Sequence, residues 1–169
     1  MKAIVYSNPG QPEVLQLQEV ARPTPKDHEV LIRIRATTVM ATGFGAGRSK
    51  APGAFRSHHA RRPAIIIPGQ DLAGEVEAVG RRVTRFRKGE QIVAWSGLRL
   101  GTYAEYICLP EQGALFTKPT NMSYEEAATL PVGGLDAAYL LRRANIQPRE
   151  RVLINGAGGS MGTYAVQIA

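Results

Sequence analysis

Val152-Leu153-Ile154-Asn155-Gly156-Ala157-Gly158-Gly159-Ser160-Met161-Gly162 is the stretch on which the reading of this chain turns. Arg151–Asn155 is short, apolar and followed at once by turn residues, the pattern of a buried strand. The glycine-rich turn then opens an apolar helix, Thr163-Tyr164-Ala165-Val166-Gln167-Ile168-Ala169. Strand, glycine turn and helix in that order form the setting a dinucleotide-binding fingerprint requires. Small residues at Ala157 and Gly159 would let backbone N–H groups approach a pyrophosphate. Gly162 would let the helix pack close to the strand, and the helix N-terminus would add positive potential. Read from Ala157, the pattern is A-x-G-x-x-G with alanine in the first glycine place. An ordinary glycine-rich strand–helix turn reads the same way, so the surrounding sequence has to decide.

Upstream of this turn the periodicity is helical. Ser123-Tyr124-Glu125-Glu126 is a capping box that starts a short helix through Ala127, Ala128 and Leu130, which Pro131 is expected to stop. Gly134 to Asn145 reads as an amphipathic helix with Arg142 and Arg143 at the negative end of its dipole. Further upstream, the first 120 residues read as many short strands. Lys2–Tyr6, Leu15–Val20 and Glu29–Ala36 come first, with Val30, Ile32 and Ile34 facing one way. Ile65–Ile67, Leu72–Gly80, Gln91–Trp95 and Thr102–Leu109 follow, Gly74 marking a bulge or a close backbone approach. Short strands separated by turn signals predict a small barrel or sandwich.

Composition narrows the class. The 169 residues carry 21 Lys and Arg against 14 Asp and Glu, a net charge of +7, with 44% hydrophobic residues. That suits a compact domain with its own core and excludes a disordered chain. No apolar run reaches the ~20 residues of a spanning helix, and Met1–Tyr6 enters a strand without signal-peptide anatomy, so a cytoplasmic location is expected. The single cysteine, Cys108, excludes an internal disulfide and reads as a buried structural thiol. Arg48, Lys50, Arg56, Arg61 and Arg62 concentrate charge between Gly47 and Pro63, together with His58 and His59. Broken by glycine and proline, this stretch reads as a solvated loop, and a nucleic-acid partner is not expected.

Several blocks in order carry a resemblance over the whole chain: Met1–Tyr6, Glu29–Arg33, Pro68-Gly69-Gln70-Asp71-Leu72-Ala73-Gly74, Gly101–Tyr106, Pro131-Val132-Gly133-Gly134-Leu135 and the glycine turn. On these the chain resembles the medium-chain dehydrogenase/reductase superfamily, in its zinc-independent quinone-oxidoreductase-like branch. The resemblance implies a mainly β GroES-like catalytic domain, a partly open barrel, over residues 1–121. Connecting helices at 122–145 and the start of a truncated α/β Rossmann domain at 146–169 follow. It implies reduction of quinones, enones or related carbonyl compounds by hydride transfer from NADPH or NADH. Cofactor contacts fall on Met40, Ala41, Thr42, Asp136, Ala157, Gly159, Ser160, Met161 and Gly162, and the substrate cleft on Gly43 and Gln70. Gly43 stands where aspartate is common and Asp136 where threonine is common, so no catalytic residue is assigned.

Zinc-dependent relatives carry cysteine at the place of Met40, histidine at Gln70 and a third ligand near Val132. Methionine, glutamine and valine do not form the N/S set Zn²⁺ requires, so no metal is expected. Only seven residues follow Gly162, whereas one βαβ unit takes about 30 residues. The chain is therefore expected to be the N-terminal portion of a longer enzyme, without the residue that selects NADP or NAD. Members of this family often dimerise, and a small molecule is the expected partner. A free-standing GroES-like domain serving as a non-catalytic interaction module is the alternative.

Overall fold

Alternating apolar residues in Glu29–Thr37 and small apolar ones in Asp71–Val79 build the centre of the fold. In the computed structural model, which describes residues 1–6, 12–40 and 66–169, these segments are the antiparallel strands β3 and β4. Around them lie β1 (Lys2–Val5), β2 (Gln16–Glu19), β5 (Gln91–Trp95), β6 (Tyr106–Pro110) and β7 (Ala114–Thr117). A five-stranded antiparallel sheet in the order β6-β3-β4-β5-β7 curls into a half-barrel. β1 and β2 form a separate pair, joined to the rest through the Ala3–Ala104 and Tyr6–Ile66 bridges.

The hollow of the sheet is filled by Val30, Ile32, Leu72, Val76, Ile92, Leu109 and Leu115, with Phe86 beneath the β4–β5 connection. Full burial of side chains of this size contributes about 1.5–3 kcal/mol each. On the other face Ala73 and Val93 are covered by Ala127 and Ala128. Both faces of β4 are thus apolar, which is why its sequence does not alternate cleanly. Gly74 does mark a close approach: a Cβ there would lie 2.3 Å from the Arg33 carbonyl oxygen, between two register shifts in the β3–β4 ladder.

The expected strand Thr102–Leu109 begins only at Tyr106. Leu100 and Gly101 take positive φ (60° and 104°), and this turn sends Thr102–Glu105 to the edge of β1 instead. β7 is absent from the sequence reading, because four residues with an exposed Phe116 carry little periodic signal. It is held by pairing with β5 and by Glu111, whose Oε2 accepts from the backbone N–H groups of Thr84 and Arg85 at 2.9 and 3.1 Å. Cys108, on β6, is half-buried rather than buried. Burial and then Glu29 push its thiol up to about 11, which leaves it protonated and unreactive.

The helical half starts as expected. Helix α1 (Tyr124–Ala127) is opened by a reciprocal capping box, Glu126 N–H to Ser123 Oγ at 3.2 Å and Ser123 N–H to Glu126 Oε2 at 2.8 Å. Ser123→Ala is expected to cost about 1 kcal/mol, read as a shift in the urea midpoint at unchanged slope. Pro131 does not stop the chain. It enters a π-helical turn, Leu130–Gly134, at its first positions, where its missing N–H forfeits no bond, and the turn runs directly into α2 (Leu135–Ala144). Asn145, left-handed at φ 50°, caps α2.

Residues Val152–Asn155 pair with no strand among the described residues, and Leu153 is 94% exposed. A parallel strand exists only through its neighbours' hydrogen bonds, so an apolar run without a neighbour stays extended and solvated. Helix α3 spans Ser160–Ile168, starting at Gly159 as N-cap rather than at Thr163. No helix among the described residues is long and apolar enough to cross a membrane.

Candidate active-site cleft

One end of the half-barrel gathers Met40, Gln70 and Asp136 of the residues singled out by sequence. β3 ends at Thr37 and continues through Thr38 to the half-buried Met40, while β4 starts at Asp71 directly after Gln70. The loop Gly97–Tyr103 folds over this junction through four hydrogen bonds: Gly101 and Tyr103 N–H to the Pro68 carbonyl, Thr102 N–H to that of Gly69, and Gln70 Nε2 to that of Gly97 at 3.0 Å. Gly69 makes this possible. It has φ +89°, and a Cβ there would lie 2.3 Å from both Thr102 Oγ1 and a Tyr103 ring carbon.

The floor of the cleft is a polar network inside an apolar shell. Thr37 Oγ1 donates to the Asp71 carbonyl at 2.6 Å and so accepts from the fully buried Thr102 hydroxyl at 2.9 Å. Thr38 Oγ1 donates to Asp71 Oδ2 at 3.0 Å. Asp71 is 1% exposed, and its Oδ1 has no hydrogen-bond partner. Burial raises its carboxyl from 3.8 to about 6; Thr38 and the Val132 backbone N–H oppose the rise, and the Asp136 carboxylate adds to it. Burial also raises Tyr103, against the pull of the Met40 backbone N–H, with Asp71 adding further.

The π-turn closes this network from the helical side and also carries the glycine turn. Val132 faces Asp71, while the next residue, Gly133, receives helix α3: a Cβ on Gly133 would lie 2.3 Å from Ser160 Oγ and 3.0 Å from the Tyr164 ring. Tyr164 Oη and Thr129 Oγ1 complete the contact at 2.6 Å. In the glycine turn itself, Gly156 has φ +76° and Gly159 N–H bonds back to the Gly156 carbonyl at 3.0 Å. Gly162 is buried, and a Cβ there would stand 2.3 Å from the Gly156 oxygen and 2.6 Å from Ala157 Cα. The close packing assigned to Gly162 is therefore present, made against the turn rather than against a strand. Gly162→Val is expected to unseat the first turn of α3, read as loss of hydrogen-exchange protection at Thr163–Ile168 while the barrel amides stay protected.

Met40, Gln70 and, through Asp71, Asp136 are thus brought to one cleft. Ser160, with Tyr164, meets the same π-turn at Gly133, while Gly162 packs on Gly156 and Ala157 of the glycine turn. Asp136 lies exposed in the first turn of α2, and Ala157, Gly159, Ser160 and Met161 are exposed around the glycine turn. Ala41, Thr42, Gly43 and the basic stretch Gly47–Pro63 lie outside the described residues. Sequence reasoning passed over Asp71, Thr38, Tyr103 and Gly133. The available signal was an aspartate opening an otherwise apolar strand, Asp71-Leu72-Ala73, since a charged side chain in such a place is rarely buried without purpose.

The alcohol dehydrogenase GroES-like domain family matches residues 26–120. The chain belongs to that family. Within the medium-chain dehydrogenase/reductase superfamily it falls in the quinone-oxidoreductase-like branch. It is 37% identical to the quinone oxidoreductase of Lama guanicoe over all of this chain and 49% of that protein. To the chloroplastic quinone-oxidoreductase homolog of Spinacia oleracea it is 36% identical, over all of this chain and 52% of that one. Among solved structures, the quinone oxidoreductase of Coxiella burnetii superposes with a TM-score of 0.89 at 27% identity, covering 99% of this chain and 52% of that chain. That of Pseudomonas syringae superposes with 0.82 at 34% identity, over 99% and 49%. The chain spans about half the length of these relatives.

Proposed function

We propose that this chain is the substrate-binding part of an NAD(P)H-dependent oxidoreductase that reduces quinones, enones or related carbonyl compounds without zinc. Residues 1–121 then form the catalytic domain, 122–145 the connection, and 146–169 the beginning of the dinucleotide-binding domain. The observation that carries the reading is the seating of the glycine turn, through Ser160 and Tyr164 on Gly133, against the same π-turn that closes the polar cleft. The N-terminus of α3 would hold the phosphates of a dinucleotide, and Met40, Gln70 and Asp136 are the residues that would meet its other end and the acceptor. Gly162 fits that group, because a Cβ there would meet Gly156 and Ala157, and its absence keeps the turn tight against the N-terminus of α3. The bound nicotinamide supplies a hydride. The chain's own residues orient the acceptor and exclude water, and Met40, Gln70 and Val132 do not supply the N/S ligand set that Zn²⁺ requires. The substrate is a small molecule of electron-poor character, and a soluble cytoplasmic enzyme is in keeping with the chain's composition.

Calorimetric titration of NADPH and NADH into the chain, with quinone and enone reduction assayed in parallel, tests this reading in two stages. The chain alone carries one edge of a dinucleotide site, so no saturable binding and no turnover are expected, with cooperative thermal unfolding retained. Joined to the complementary half of a relative, it is expected to bind cofactor and oxidise it in the presence of a quinone. A folded, cofactor-binding chimera that reduces neither acceptor would overturn the assignment and favour a non-catalytic interaction domain.

A further inference from the structure

Asp71 is a buried carboxyl without the partners a buried carboxylate needs. Its Oδ2 accepts from Thr38, while Oδ1 is shielded from solvent and bonded to nothing. Buried ionised groups are ordinarily paired or fully hydrogen-bonded. Here Thr38 faces it from the end of β3, Tyr103 from the Gly97–Tyr103 loop, Val132 N–H from the π-turn and Asp136 from α2. Its strand neighbour across the ladder is Trp95 of β5. Among the described residues the charge acting on Asp71 is that of Asp136, and it repels. An ionised carboxylate here would attract the Val132 N–H and repel Asp136, four residues further on. The π-turn lies between these opposed forces. Such turns lack the regular i→i+4 ladder, interrupt helices where function demands it, and can absorb a local shift.

We propose that Asp71 is a positioning residue of the cleft, whose gain and loss of a proton moves the Leu130–Gly134 turn, and Asp136 with it, against the barrel. The inference rests on the oxidoreductase reading only for calling this groove an active-site cleft; the movement itself needs no cofactor. Because the same turn holds Ser160 and Tyr164 through Gly133, the proton on Asp71 also sets where the glycine turn stands relative to Gln70.

The test is a pH titration of the ¹⁵N-labelled 169-residue chain between pH 4.5 and 8.5, following the amides of Thr38, Val132, Gly133 and Gly134. These four are expected to shift together with one midpoint well above that of an ordinary aspartate. Asp136→Asn, a change at an exposed position, is expected to lower that midpoint by roughly half a pH unit. Asp71→Asn is expected to remove the transition. Flat π-turn amides, a midpoint indifferent to Asp136→Asn, or a transition that survives in Asp71→Asn would each overturn the proposal. Should Asp71→Asn fail to fold, the Asp136→Asn midpoint decides alone. Failure of NAD(P)H binding leaves these amide shifts untouched, so the two readings fall separately.

Discussion

Gly69→Ala is expected to destabilise the chain by about 2–6 kcal/mol and to open the cleft loop before the barrel unfolds. Two costs add. An L-residue held at φ +89° carries backbone strain of about 1–3 kcal/mol. The new methyl would also sit 2.3 Å from the buried Thr102 Oγ1 and from the Tyr103 ring, inside any allowed contact. Overpacking of this kind costs about 1–3 kcal/mol. Thr102 has no room to retreat, because its hydroxyl is bonded to Thr37 and its backbone N–H to Gly69 itself. Gly89→Ala supplies the control: its φ is also +89°, yet a Cβ there meets nothing within 4 Å. The difference between the two unfolding free energies isolates the steric part, and equal losses would show that the loop yields freely.

Asp71→Asn is expected to make stability less dependent on pH in a definite direction. The folded-state carboxyl is raised from 3.8 to about 6, chiefly by burial. The folded chain therefore holds the proton more tightly than the unfolded chain. The associated stability is fully present below pH ~4 and is lost as pH rises through about 6. With screening at the cleft mouth allowed for, that loss is about 1–2 kcal/mol in the wild type. Asparagine has no proton to lose, so the variant gains on the wild type between pH 4 and pH 8, measured by urea unfolding at each pH. Glu111 titrates in the opposite sense. Two backbone N–H groups hold its carboxyl below the ordinary range, so its contribution disappears as the solution is made acid. The Asp71 effect must therefore be read as wild type minus variant, where Glu111 cancels. A difference that stays constant with pH would contradict the assignment.

The glycine turn and the strands were legible in the chain for different reasons. β3, β4 and β5 announce themselves because their apolar residues must face a common core, and a pattern imposed by a core is written locally. The Ser123–Glu126 capping box is likewise a contract between residues three apart, and Gly74 and Gly162 mark close approaches that no other residue permits. The family resemblance added the order of these blocks. Tertiary structure alone decided the rest. Val152–Ile154 has the composition of a strand, but strand structure belongs to pairs, and among the described residues no partner stands beside it. Pro131 has the chemistry of a helix stop, yet at the entry of a turn its missing N–H is no loss, and packing carries the chain onward into α2. Asp71 is simply one aspartate among others in sequence. Only folding removes it from water, leaves one oxygen without a partner and sets it between Thr38, Val132 and Asp136. Local geometry is encoded by neighbours along the chain, whereas the burial and charge around Asp71 are set by residues as far apart in sequence as Thr38 and Asp136.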